Sequence, residues 1–182
     1  DDPIIVGSPP SRPPSCDGTY YRSLYRSAKL HYELTKSGIR DVKGVWLCPE
    51  VNGAPLIIVS IKQQYAGHAR QAAYLASLSL QIGVQGRYVI VVDEDIDPTN
   101  IADVLWAVCT RSDPEKDIDI IRRAPSGPLD TTIRRPAEAY FNSRGIIDAC
   151  KPYEWINDFA KPVDLDPEVV KRVKKKWRDL EG

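Results

Sequence analysis

Between residues 19 and 35, Tyr21, Leu24, Tyr25, Ala28, His31, Tyr32 and Leu34 recur at three- and four-residue steps, the spacing of one apolar helix face. Gly38 supplies the stop. Two strand-like runs follow, 42–48 and 56–61, with Asn52-Gly53 between them as a hairpin-like turn. The second run is apolar on both faces, which predicts a central strand covered by helices. An alanine- and leucine-rich helix is predicted from Gly67 to about residue 82, its small side chains allowing close packing. Residues 87–92 read as another buried strand. Asp97 then caps a helix starting at Pro98, where a missing N–H costs nothing, and Ile101, Val104, Leu105 and Val108 line its buried side. A short strand is expected at 118–121 and a short edge strand at 146–147, with a proline-broken surface segment from Pro125 to about Tyr140. The last element is a helix over 167–180 that turns Val169, Val173, Trp177 and Leu180 inward and its lysines outward. Strands alternating with helices at this spacing imply an α/β fold, a three-layer α/β/α sandwich.

Residues 1–18 break the pattern: five prolines, two glycines and three serines read as a linker or arm, leaving 19–182 as the folded domain. With 182 residues, 42% hydrophobic and 27% charged, one sizeable core is the natural expectation. Twenty-five basic and 25 acidic side chains cancel, so no global field draws a phosphate backbone and nucleic acid is excluded as an expected partner. No run approaches the roughly 20 apolar residues that span a bilayer. Four widely spaced cysteines fit neither a zinc knuckle nor a disulfide framework, which favours a reducing, cytoplasmic setting. The chain begins at Asp1 and contains no methionine, so it reads as a fragment or a processed product.

Chemistry is sparse in the pattern. The acids Asp93, Glu94, Asp95 and Asp97 end a strand where open α/β sheets place ligands, and a hard-cation site is conceivable. A turn and a helix N-terminus explain them more simply, because exposed amides favour negative charge there. Gly83 and Gly86 precede a strand and cannot form a dinucleotide fingerprint. His31 sits in an aromatic helix face and reads as packing. His68, beside Gly67 in a first helical turn, has both a buried structural reading and a ligand reading. No serine or cysteine pairs with a histidine by spacing.

Two longer stretches carry more. Residues 59–69, Val-Ser-Ile-Lys-Gln-Gln-Tyr-Ala-Gly-His-Ala, and residues 88–100, ending Asp97-Pro98-Thr99-Asn100, resemble the C-terminal domain of the UbiD family of decarboxylases. The likeness continues through 103–111 and Asp113-Pro114 and ends near 143–149. It implies that the parent protein is a prenylated-FMN-dependent carboxy-lyase acting on aromatic acids, of gallate or hydroxybenzoate type with cinnamate, pyrrole and ubiquinone-precursor types as the alternatives, and with Mn2+ and K+ fixing the cofactor phosphate. The family's catalytic Glu-Arg-Glu network and metal ligands belong to an upstream flavin-binding domain with no counterpart here, so the fragment alone is expected to be inactive and free of cofactor. The resemblance gives this domain one cleft wall and a homodimer or higher homo-oligomer contact through strand edges or the terminal helix. Leu129 falls where relatives project an apolar side chain toward substrate. Arg87 is the candidate cofactor contact, on the phosphate side, with a strand start as its other reading. Many members carry lysine in a Gly-Ser-Lys-Met-Gly-type motif where this chain has Arg144, flanked by Asn142 and Gly145. The competing reading is a non-catalytic oligomerisation or interaction module.

Overall fold

A computed structural model describes residues 16–51, 55–79, 86–127, 130, 132–133, 140–163 and 166–178. Helix α1 (Asp17–Lys36) leads into a hairpin of β1 (Val42–Leu47) and β2 (Leu56–Ile61), and α2 (His68–Leu78) returns the chain to β3 (Tyr88–Asp93). After α3 (Ile101–Arg111) and the single turn α4 (Pro114–Asp117), β4 (Ile118–Pro125) and β5 (Phe141–Ala149) complete the sheet, and α5 (Pro167–Arg178) closes the described chain. The strand order is β1-β2-β3-β5-β4. Strands β2, β3 and β5 run parallel, and antiparallel β1 and β4 form the two edges.

Two-residue alternation divides the central strands between two cores. Ile57, Val59, Ile61, Val89 and Val91 pack with Leu30 and Leu34 of α1 and the alanines of α2. Ile58, Ile90 and Val92 turn to the opposite face, under Val104 and Ala107 of α3. Sheet strands buried on both faces between helical layers make the expected α/β/α sandwich.

Several sequence expectations are corrected. Helix α1 begins at Asp17 and, of the predicted apolar face, buries Leu34 but not the tyrosines: Thr19, Ser23, Ser27 and Leu30 pack inward with Leu34, while Tyr21, Leu24, Tyr25 and Tyr32 are exposed. The reason is close approach. Ser27 is small enough to reach the sheet and accepts a hydrogen bond from the Leu47 amide at 2.9 Å, satisfying a donor that edge strand β1 would otherwise bury unpaired. Helix α2 ends at Leu78, with Ser79 extended. Helix α3 is capped by Asn100, not Asp97, and buries Val104, Ala107 and Arg111, whereas Ile101 and Leu105 are exposed. Asp97 instead closes the preceding turn by accepting from the Thr99 amide and hydroxyl. Strand β5 has nine residues and lies inside the sheet, between β3 and β4; it is not a short edge strand. Strand β4 takes the edge, runs on to Pro125, and carries an irregularity between Ile121 and Ala124 with Arg123 at φ 58°. Of the apolar stripe expected to face inward in α5, Val169, Val173 and Trp177 are all exposed, and Leu180 lies outside the described residues.

Candidate functional site

The parallel strands end at one rim, and there the acid cluster is consumed by ion pairs. Asp93 is buried, with Oδ2 accepting from Arg111 Nη1 at 3.1 Å and the Lys151 amide at 2.7 Å. Its Oδ1 accepts from Gln63 at 2.9 Å, and the same Gln63 nitrogen donates to the Lys151 carbonyl at 2.7 Å. Asp95 receives a two-pronged contact from Arg111, at 2.9 and 2.8 Å, and Lys151 Nζ at 2.8 Å. Burial pushes the Asp95 carboxyl up, but the hydrogen bonds from Arg111 and Lys151 outweigh it and hold its pKa at about 2. Glu94 reaches Lys62 at 3.6 Å. These carboxylates already have cations, and among the described residues no group of three or more His, Cys, Asp or Glu side chains is arranged to hold a metal ion. The network ties β2, β3, α3 and the segment after β5 into one rim.

His68 begins α2 behind Gly67, whose φ of 83° is a left-handed conformation suited to glycine. The ring is fully buried and its Nδ1 accepts from the Gln64 amide at 3.2 Å, while Tyr65 lies over it at 4.6 Å between ring centroids. Burial lowers its pKa, so the neutral ring is favoured. His68 thus folds the Gln63–Gly67 turn onto the helix start. His31 contacts the Val42 carbonyl through Nε2 at 3.2 Å, a packing role consistent with the simpler reading.

At the opposite end of the sheet, Arg87 precedes β3 and turns to Asp130. Asp130 has a buried carboxylate that collects five donors: Arg87 Nη2, the Thr132 amide at 2.9 Å and hydroxyl at 2.7 Å, Ser126 Oγ at 2.7 Å and Asn142 Nδ2 at 3.0 Å. Burial opposes its ionisation, yet the Ser126, Thr132 and Arg87 donors hold the carboxyl well below the usual range. Arg87 also donates to Thr132 Oγ1 at 3.1 Å. Leu129 lies outside the described residues, but its covalent neighbour Asp130 is this hub. Arg87 and Asp130, 43 positions apart in the chain, are thus joined through one carboxylate. Asp130 went unmarked by sequence reasoning because it lies in a proline-rich stretch without periodicity; only the Asp-x-Thr spacing of 130–132 hints at a local turn.

The guanidinium of Arg87 is committed to Asp130. What the arrangement offers is an ion-paired rim at one end of the sheet and a hydrogen-bonded hub at Asp130 at the other.

The family model for the 3-octaprenyl-4-hydroxybenzoate carboxy-lyase C-terminal domain matches residues 19–149. Among solved structures, vanillic acid decarboxylase of Sedimentibacter hydroxybenzoicus in its open form is 29% identical with a TM-score of 0.72, over 92% of this chain and 35% of its own. The UbiD-class enzyme HmfF of Pelotomaculum thermopropionicum, solved with FMN, shares the fold at a TM-score of 0.74 and 24% identity, over 87% of this chain and 34% of its own. A Klebsiella pneumoniae 3,4-dihydroxybenzoic acid decarboxylase does so at 0.69 and 24%, over 84% and 33%. The chain thus spans about a third of the length of these relatives.

Proposed function

The chain belongs to the family of UbiD C-terminal domains, and from that premise we propose that it forms one wall of the active-site cleft in a decarboxylase of aromatic, phenolic acids such as hydroxybenzoates or gallate. The observation that carries this reading is the family match over 19–149 together with the vanillic acid decarboxylase likeness across nearly the whole chain. In this reading prenylated FMN supplies the electron sink for loss of carbon dioxide, and it is held with Mn2+ and K+ by an upstream flavin-binding domain. This domain contributes shape and exclusion of water. Leu129 presents an apolar surface to the ring of the substrate, and Asp130 holds the backbone next to it through Ser126, Asn142, Thr132 and Arg87. Arg87 then acts on the cofactor side by fixing this loop, with any phosphate contact of its own requiring release from Asp130. The complete enzyme assembles as a homodimer or higher homo-oligomer.

The test uses the longer protein containing this domain, expressed in cells that make prenylated FMN, with carbon dioxide release measured on a panel of benzoic, hydroxybenzoic, gallic and cinnamic acids. Turnover confined to phenolic acids, and a Leu129→Ala variant with KM raised roughly tenfold, as expected for about 1.4 kcal/mol of lost apolar contact, support the assignment. Turnover of cinnamic acids alone would remove the phenolic assignment. Absence of flavin binding and turnover with every acid would remove the decarboxylase reading and leave an interaction module.

A further inference from the structure

Arg144 stands in β5 with only 3% of its surface exposed. Its guanidinium makes one hydrogen bond, from Nη2 to the Pro125 carbonyl at 2.8 Å. Nε and Nη1 are sealed from solvent and meet no acceptor. The contrast with Arg111 is chemical: Arg111 is equally buried but is paired with Asp93 and Asp95, whereas no ion pair reaches Arg144 among the described residues. The nearby carboxylate of the loop hub is already saturated, because both oxygens of Asp130 are taken by Arg87, Thr132, Ser126 and Asn142. Across the ladder from Arg144 lies Ile121, and on the same face of β5 it stands between apolar Ile146 and buried Asn142, whose Nδ2 is held by Asp130, so no opposite charge flanks it along the strand. Burial alone pushes the guanidinium below its usual range, with no neighbouring charge opposing it.

A guanidinium remains charged throughout the physiological range, and a charge removed from water requires either an opposite charge or a full set of hydrogen bonds. Arg144 has neither within its own chain. We propose that Arg144 is the seat of an internal anion site, taking a small monovalent anion of chloride size on one of its two open N–H groups, Nε or Nη1, which lie on different edges of the guanidinium. The site is separate from the cofactor and substrate reading above and does not depend on it. The bound anion neutralises the cation inside the β4–β5 half of the sheet and makes the stability of that half depend on halide.

Two measurements test this. Crystals of the protein grown in sodium bromide give an anomalous difference peak in contact with Arg144 Nε or Nη1 if the site exists. Water at that position, a carboxylate from elsewhere in the protein, or no peak overturns it. In solution, exchanging sodium gluconate for sodium chloride at constant ionic strength raises Tm in a saturable way, by about 5–10 °C at a hundredfold excess over Kd. In Arg144→Gln that chloride response disappears. A wild-type Tm indifferent to the exchange, or an equal response in the variant, overturns the proposal; if Arg144→Gln does not fold, the bromide map decides it.

Discussion

At the scale of single residues, charge placement governs this domain more than charge number. Arg111 is sealed beneath the rim, and replacing it by methionine strands Asp93 without its cation. Chemical denaturation of Arg111→Met is expected to show a loss of about 3–5 kcal/mol, the range for breaking one side of a buried pair. Asp130→Asn, which keeps the shape but removes the charge received by five donors, is expected to cost about 3 kcal/mol. Asp148 behaves in the reverse sense. Burial raises its pKa to about 6, opposed by the Cys150 amide that donates to its Oδ1 and reinforced by Asp117. The folded state therefore holds a proton that the unfolded chain has already released, and this carboxyl lowers stability as pH rises from about 4 to about 6. Asp148→Asn keeps the acceptor for Cys150 and is expected to stabilise the protein by about 2–3 kcal/mol at pH 7 and by little at pH 4. Equal effects at both pH values would refute the assignment. Asp95 and Asp130 titrate in the opposite direction, since their depressed pKa values confer stability above about pH 4 that is lost on further acidification.

At the scale of elements, the helices show how far periodicity carries. The three- and four-residue steps in α1 identified a helix correctly and its buried side incorrectly, because large aromatic rings mark an apolar stripe while a helix seated close to a sheet edge needs serine and threonine beneath it. Ser27→Ala isolates this point. It leaves the Leu47 amide buried without an acceptor and is expected to cost about 1–3 kcal/mol in thermal or chemical unfolding, more than an alanine in an exposed helix position would. Strands β2 and β3 were legible because double-sided burial writes continuous apolar runs. Strand β5 was not, because Asn142, Ser143, Arg144 and Asp148 interrupt its run; its interior place follows from hydrogen-bond registration with Gly145 against Tyr88 and Ile147 against Ile118. In α5 the apolar positions are spaced as expected, yet they face outward. Ending the chain after Val163 is expected to leave the far-UV spectrum per remaining helix and the Tm of the sandwich unchanged, and a drop in Tm beyond about 4 °C would show that the helix packs on the domain.

At the scale of the whole molecule, the two ends of the sheet differ in kind: one is an ion-paired rim around Asp93, the other a hydrogen-bonded hub around Asp130. The 182-residue chain purified from cells producing prenylated FMN is expected to show no flavin absorbance after gel filtration, and co-eluting flavin would mean that this domain holds the cofactor by itself. The sequence alone determined the layered α/β architecture, the central strands and the family, because these depend on local periodicity and on the ordered run of motifs from 59 to 149. Tertiary structure alone decided which face of α1 is buried, that β5 lies inside the sheet, that Asp93 and Asp95 are neutralised by Arg111 and Lys151, and that Arg87 is bound to Asp130. Those outcomes depend on pairings across 16 to 58 positions, and neither propensity nor spacing within one element encodes a partner that distant.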